Sequence, residues 1–127
     1  MSQENMQGKN TVCWADIPAI NLERAVKFYT AVLGTTVQRV QENGFEFGLL
    51  PHENDNVSGC LSTEGKPSMD GPLVYLDVGT AQKINLAIKA VEENGGKILM
   101  QPMQMGPYGT RAIIVDSEGN RIALYHK

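Results

Sequence analysis

Positive charge is not in excess in this chain: eleven Lys and Arg face fourteen Asp and Glu, a net charge of −3. Without a cationic field to condense on phosphates, nucleic acid is not an expected partner. Long apolar runs are also missing. The longest are four residues, such as Val12–Ala15 and Ala112–Val115, against roughly 20 for a membrane-spanning helix. The chain therefore reads as soluble, with no membrane partner. There is no GxSxG nucleophile motif, no glycine-rich phosphate loop and no CxxC pair, so the chemistries those motifs carry have no support. Cysteine is scarce: Cys13 and Cys60 both lie in apolar, strand-like surroundings and read as buried, reduced thiols, not as a disulfide. The opening MSQENMQGKN has neither a basic start nor an apolar stretch. Residues 1–10 read as a flexible leader and not a signal peptide, which makes the cytoplasm the default location.

The apolar content is delivered in short, punctuated pieces. Of 127 residues, 42% are hydrophobic and 20% charged, enough to bury one compact core and too apolar for global disorder. Residues 12–17, VCWADI, are strand formers closed by Pro18. Asn21 is placed to cap a helix whose apolar Leu22, Ala25, Val26, Tyr29, Val32 and Leu33 share one face, and Gly34 is placed to end it. Strands are expected at 35–40, at 45–50 after Glu42-Asn43-Gly44, and at 57–62 after the polar HENDN loop. The polar stretch 63–71, TEGKPSMDG, reads as a linker. The pattern then restarts: strand 73–78, a helix capped by Thr80 with Ile84, Ala87, Ile88 and Val91 inward and Gly95-Gly96 as its stop, and strands at 97–100, 110–115 and 121–125. The order is βαβββ twice, module one over 11–62 and module two over 72–127. Each half is too small to be comfortable alone, so the two are expected to share a sheet or pack edge to edge within one domain, 11–127.

The string Asn21-Leu22-Glu23-Arg24-Ala25-Val26-Lys27-Phe28-Tyr29-Thr30-Ala31-Val32-Leu33-Gly34 after a strand resembles the first-helix signature of the vicinal oxygen chelate superfamily, which includes glyoxalases, bleomycin-resistance proteins and extradiol dioxygenases. Asp116-Ser117-Glu118-Gly119-Asn120-Arg121-Ile122-Ala123-Leu124 is similar to that family's closing turn and strand. The resemblance implies an α+β fold in which two βαβββ modules form a curved mixed sheet around a concave cleft, often in a homodimer. Metal-dependent members carry His and Glu ligands for a divalent ion on the first and fourth strands of each module. Carried over, those positions fall at or next to Trp14, at Gly59 or Cys60, at Leu73 and at Ala123. Only Cys60 among them can donate, and one soft thiolate does not build a divalent site. No metal and no other cofactor is therefore expected.

Alternation along the strands gives an independent view of the cleft. Cys13, Ala15 and Ile17, then Val74, Leu76 and Val78, then Ile122 and Leu124 form uniformly apolar faces suited to lie under helices. The opposite faces carry Trp14, Asp16, Tyr75, Asp77, Arg121 and Tyr125, a mixture of aromatic walls and polar groups of the kind small-molecule sites use. The stretch Met100–Gly109, with two prolines, two glycines and three methionines, is read as irregular. It is either a repackable lid or a hairpin loop plugging the core or a dimer interface. Arg111, just beyond it, either meets a ligand carboxylate or pairs with an acidic neighbour. The candidate ligand-binding residues are Trp14, Asp16, Cys60, Tyr75, Asp77, Tyr108, Arg111 and Tyr125. Asp16 and Asp77 also suggest themselves as an acid/base pair across the repeat.

Three functions follow. The first is a metal-free protein that binds a small, partly apolar or aromatic molecule in the cleft, with cationic molecules favoured by the acidic balance. The second is a lyase, isomerase or dioxygenase whose displaced metal site uses Cys60, His52, Glu53 or Glu46; the only donor-like cluster in sequence is His52-Glu53 with Asp55. The third is a dimeric regulatory or interaction module.

Overall fold

A computed structural model describes residues 11–53 and 58–127. Residues 1–10, read as a leader, and Asp55 and Val57, assigned to the donor cluster and the fourth strand, lie outside the described residues. The elements are β1 (Trp14–Pro18), α1 (Leu22–Leu33), β2 (Gln38–Glu42), β3 (Phe45–Leu49), β4 (Ser58–Ser62), β5 (Val74–Asp77), α2 (Ala81–Glu93), β6 (Lys97–Gln104), a turn of 3₁₀ helix (Gly106–Tyr108), β7 (Thr110–Val115) and β8 (Arg121–His126). The βαβββ order occurs twice, as expected. The strands form two four-stranded sheets, β1-β4-β3-β2 and β5-β8-β7-β6. In each the first strand runs parallel to the last of its module and the other pairings are antiparallel.

Local chemistry starts and stops the helices where the sequence places the signals. The Asn21 side chain accepts the Arg24 N–H at 2.9 Å, and Gly34 closes α1 in the left-handed region at φ 70°. Thr80 caps α2 through the Lys83 N–H, and the Gly96 N–H returns to the Val91 carbonyl after Gly95 turns at φ 94°. Each helix covers one face of its own sheet and the two helices pack on each other. One core therefore joins Ile17 and Leu61 of the first sheet, Ile114, Ile122 and Leu124 of the second, and Phe28, Tyr29, Ile84 and Val91 of the helices. No helix of the described residues is long and apolar enough to cross a membrane.

Three local expectations change. β1 begins at Trp14, so Cys13 precedes the ladder and is exposed, although Cys60 is buried; both thiols are free. The strand expected at 35–40 begins at Gln38, because Val37 drops into the core and its N–H is taken by the Thr30 hydroxyl. The stretch read as irregular is regular up to Gln104. Pro102 is accommodated because β6 is an edge strand and its register shifts between Met100 and Met103, the two contexts in which a strand tolerates a residue with no N–H.

The closing turn, Asp116–Asn120, ties module two onto module one. The Glu118 carboxylate accepts the N–H groups of Ile20 and Asn21, both at 2.8 Å, and pairs with Arg24 at 2.7 Å. Asp116 receives the buried Tyr29 hydroxyl, and the Asn120 amide donates to the Pro18 carbonyl at 2.6 Å. The two motifs that carry the family resemblance therefore meet each other, and their polar residues serve the fold.

Candidate functional site

The faces turned away from the helices carry the candidate site. In the first sheet β1 lies beside β4 in the register Asp16–Cys60, with Ala15 opposite Gly59. A Cβ at Gly59 would stand 2.1 Å from the Ala15 carbonyl oxygen, so only glycine fits there, and Cys60 is the residue presented on the concave face. Asn43 and Gly44, both at positive φ (52° and 86°), form a tight hairpin turn that sets Phe45 against Glu42 and Phe47 against Val40. Phe47 in turn pairs with Ser62, and Leu49 with Cys60. The result is a cavity of about 420 Å³ walled by Trp14, Phe45 and Phe47, with Asp16 and Cys60 among its lining residues and Glu42, Glu46 and Glu64 around it.

Asp16 is held in place from two directions. One of its carboxylate oxygens accepts the Trp14 indole N–H at 2.9 Å and the Cys60 thiol at 3.3 Å. Burial above all, and then the neighbouring Asp16 carboxylate, push the Cys60 thiol up to about 11. At neutral pH the thiol is a hydrogen-bond donor and a poor nucleophile. Of the predicted residues, Trp14, Asp16 and Cys60 are thus brought together. Phe45 and Phe47 escaped the sequence reading, although their period-two spacing on a strand opening with Asn-Gly was a signal for them.

The second sheet gathers a different set. Arg111 stands opposite Tyr125 across β7 and β8, and donates to the Tyr75 hydroxyl at 2.5 Å. The Tyr75 and Tyr125 rings meet edge to face with centres 6.2 Å apart. Tyr108 joins through its backbone: its carbonyl accepts the Tyr125 hydroxyl at 2.6 Å, while the residue as a whole is 73% exposed. Gly109 permits this contact, since at φ 107° it passes so close to Tyr125 that a Cβ would lie 2.8 Å from that ring. Asp77 lies opposite Tyr125 across β5 and β8, with one carboxylate oxygen capping the Gly79 N–H at 2.8 Å.

Between the two sets lies a groove of about 740 Å³, bounded by Trp14 and Ala15 of β1 and by Tyr75, Leu76 and Asp77 of β5, with Leu50 and Pro51 at one side. Trp14 belongs to both this groove and the first cavity. Asp77 lines the groove and Asp16 the first cavity, so the structure does not bring them to one place as an acid/base pair.

The metal-ligand positions implied by the resemblance are filled by groups that do not fit a divalent ion. Ala123 is fully buried with only a methyl group to offer, Leu73 precedes β5, Trp14 has its N–H committed to Asp16, and Cys60 is left as a lone soft donor. Among the described residues no three His, Cys, Asp or Glu converge in a way that could hold a metal. The His52 ring faces the Leu50 carbonyl at 3.4 Å.

Comparison with known proteins agrees with this architecture. A glyoxalase/bleomycin resistance protein from Albidiferax ferrireducens superposes with a TM-score of 0.73 at 17% identity, over 93% of this chain and 99% of that one. Glyoxalase I from Zea mays superposes with a TM-score of 0.64 at 20% identity, over 90% of this chain and 45% of that longer one. In sequence, a glyoxylase-like domain-containing protein from Didymella fabae is 28% identical over 115 residues, 86% of this chain and 88% of the relative. The sequence model of the Glyoxalase/Bleomycin resistance protein/Dioxygenase superfamily matches residues 11–124. Sheet topology, paired helices and sequence match lead to one assignment: the chain belongs to the Glyoxalase/Bleomycin resistance protein/Dioxygenase superfamily.

Proposed function

We propose that this protein is a binding member of its superfamily, one that holds a small, partly apolar or aromatic molecule in its cleft without a metal ion and works as a cytoplasmic homodimer. The observation that carries the reading is Trp14. The single tryptophan of the chain leaves 47% of its surface exposed in the wall shared by the cavity and the groove. A large aromatic surface left open on a concave face is a ready contact for a flat apolar ligand. The unsuitable donor set supports the metal-free part of the proposal. The dimer is supported by β1 and β5, which end their sheets with one edge unpaired.

The sole tryptophan also reports on the site. A screen of small aromatic compounds read by thermal shift and by Trp14 emission is expected to yield a binder that perturbs both. Trp14→Ala is expected to unfold cooperatively and to weaken that binder about tenfold or more, the loss of an aromatic wall. Unchanged affinity in Trp14→Ala removes Trp14 from the site and the reading with it. Elemental analysis after exposure to nickel, zinc, iron and manganese is expected to find no stoichiometric metal, and one ion per chain would restore the enzymatic alternative.

A further inference from the structure

Arg111 carries a positive charge for which the fold supplies no counter-ion among the described residues. The ion pairs there are Arg24 with Glu118 and Arg39 with Glu46. Arg111 has instead a neutral partner, the Tyr75 hydroxyl, with its guanidinium carbon 5.9 Å from the centre of the Tyr75 ring. Its Nε–H is buried with no acceptor. One edge of the guanidinium has therefore lost water and gained nothing in return, an arrangement that destabilises the fold. Unsatisfied polar groups of this kind are uncommon in native proteins and concentrate where function requires them. The Tyr75 hydroxyl accepts from Arg111, and no acceptor among the described residues takes its own proton. A full charge and a free O–H thus sit together on the concave face of module two. The neighbouring Asp77 carboxylate takes the Gly79 N–H on one oxygen and makes no ion pair with Arg111.

We propose that Arg111 and Tyr75 receive the carboxylate of a small monoacid whose apolar or aromatic body lies along the groove between β1 and β5. The Nε–H has no surface that a ligand can reach, so the match to two carboxylate oxygens is made by the planar Nη1–Nη2 edge, and one guanidinium without an ion-pair partner balances one negative charge better than a phosphate dianion. The body has a place to lie, because Tyr75 lines the groove whose opposite wall is Trp14. Met103, opposite Arg111 across β6 and β7, adds a soft apolar contact at the outer side. The proposal rests on the ligand-binding reading above and narrows it from an aromatic molecule to an aromatic or apolar acid.

The test compares 2-naphthoate with the isosteric 2-naphthamide and 2-naphthylmethylamine on the whole chain, at millimolar concentration and low salt, by thermal shift and Trp14 emission. The acid is expected to raise the melting temperature and change the emission, with the amide and amine weaker by about tenfold. Arg111→Met is expected to lose about tenfold or more for the acid and clearly less for the amide, so that the preference for acid over amide collapses. It should unfold at the wild-type temperature or above, because it removes the unsatisfied donor. Tyr75→Phe, which keeps the ring, is expected to lose a smaller factor for the acid, and it decides the matter if Arg111→Met does not fold. Equal binding of acid and amide, or full acid affinity in the variants, overturns the carboxylate assignment and leaves the cleft reading standing. Failure of all three probes, together with an aromatic screen that never alters Trp14 emission, overturns both.

Discussion

At the residue scale the concave face is built by contacts that tolerate little change. Gly59 is the extreme case: its Cβ position lies 2.1 Å from the Ala15 carbonyl oxygen, a backbone atom that moves only if β1 separates from β4. Gly59→Ala is expected to cost about 1–3 kcal/mol or more, read as a lower urea midpoint at unchanged slope. Cys60 gives a second prediction. With its thiol pushed up to about 11 and 6% of its surface exposed, it should resist a thiol reagent at pH 8 that labels exposed Cys13 readily. Native protein is expected to take one equivalent promptly and denatured protein two; rapid labelling of both in the native state would contradict the packing around Asp16. Residue identity was readable at this scale but residue company was not. Alternation placed Trp14 and Asp16 on one face. Whether the neighbour on the next strand is Gly59 or Cys60 depends on a register set by strand pairing, which no local pattern records.

At the element scale the β7–β8 turn acts as a clasp on the start of α1. The Glu118 side chain is fully buried beside a half-exposed Arg24. Burial alone would raise its carboxyl. The Arg24 guanidinium, the backbone N–H groups at Ile20 and Asn21 and the Ser117 hydroxyl outweigh that and hold it down at about 2. A folded-state value below the unfolded one means that the unfolded chain binds more protons as pH falls. The clasp should therefore stabilise the fold fully above about pH 4.5 and lose its contribution as pH drops toward about 2. Glu118→Gln is expected to cost about 1–3 kcal/mol at pH 7, the range for hydrogen bonds to a charged group, and its deficit to shrink at low pH. Urea titrations of both proteins at pH 7 and pH 3 check this, and a constant deficit would mean that the carboxylate is not responsible. Tyr29→Phe removes one of the four donors to the buried Asp116 carboxylate and is expected to cost about 1–3 kcal/mol at neutral pH by the same measurement. The helices were legible because their signals are local: Asn21, Thr80, Gly34 and the spacing of apolar residues between them. The clasp was not, since Glu118 acts on residues nearly a hundred positions away.

At the scale of the whole molecule the two modules are united by helix packing and by the clasp, and their sheets keep separate edges at β1 and β5. Sedimentation equilibrium is expected to give the mass of two chains, and a single-chain mass across the micromolar range would remove the homodimer from the proposal. Period-two and period-3.6 patterns with their caps and turns were enough to specify two βαβββ modules, because those patterns arise from the backbone geometry of neighbouring residues. The extent of β6 through Pro102 was not specified in that way, since it depends on β6 being an edge with shifted register. Nor was the division of the eight candidate residues: Trp14, Asp16 and Cys60 in one cavity, Tyr75, Arg111 and Tyr125 in another cluster that Tyr108 joins through its carbonyl, and Asp77 given to a turn. Arg111 could be recognised in sequence as a cation near a strand start. That it forms no ion pair with a carboxylate among the described residues is a property of three-dimensional neighbours, because an ion pair forms wherever folding brings opposite charges within reach, and here folding brought a tyrosine.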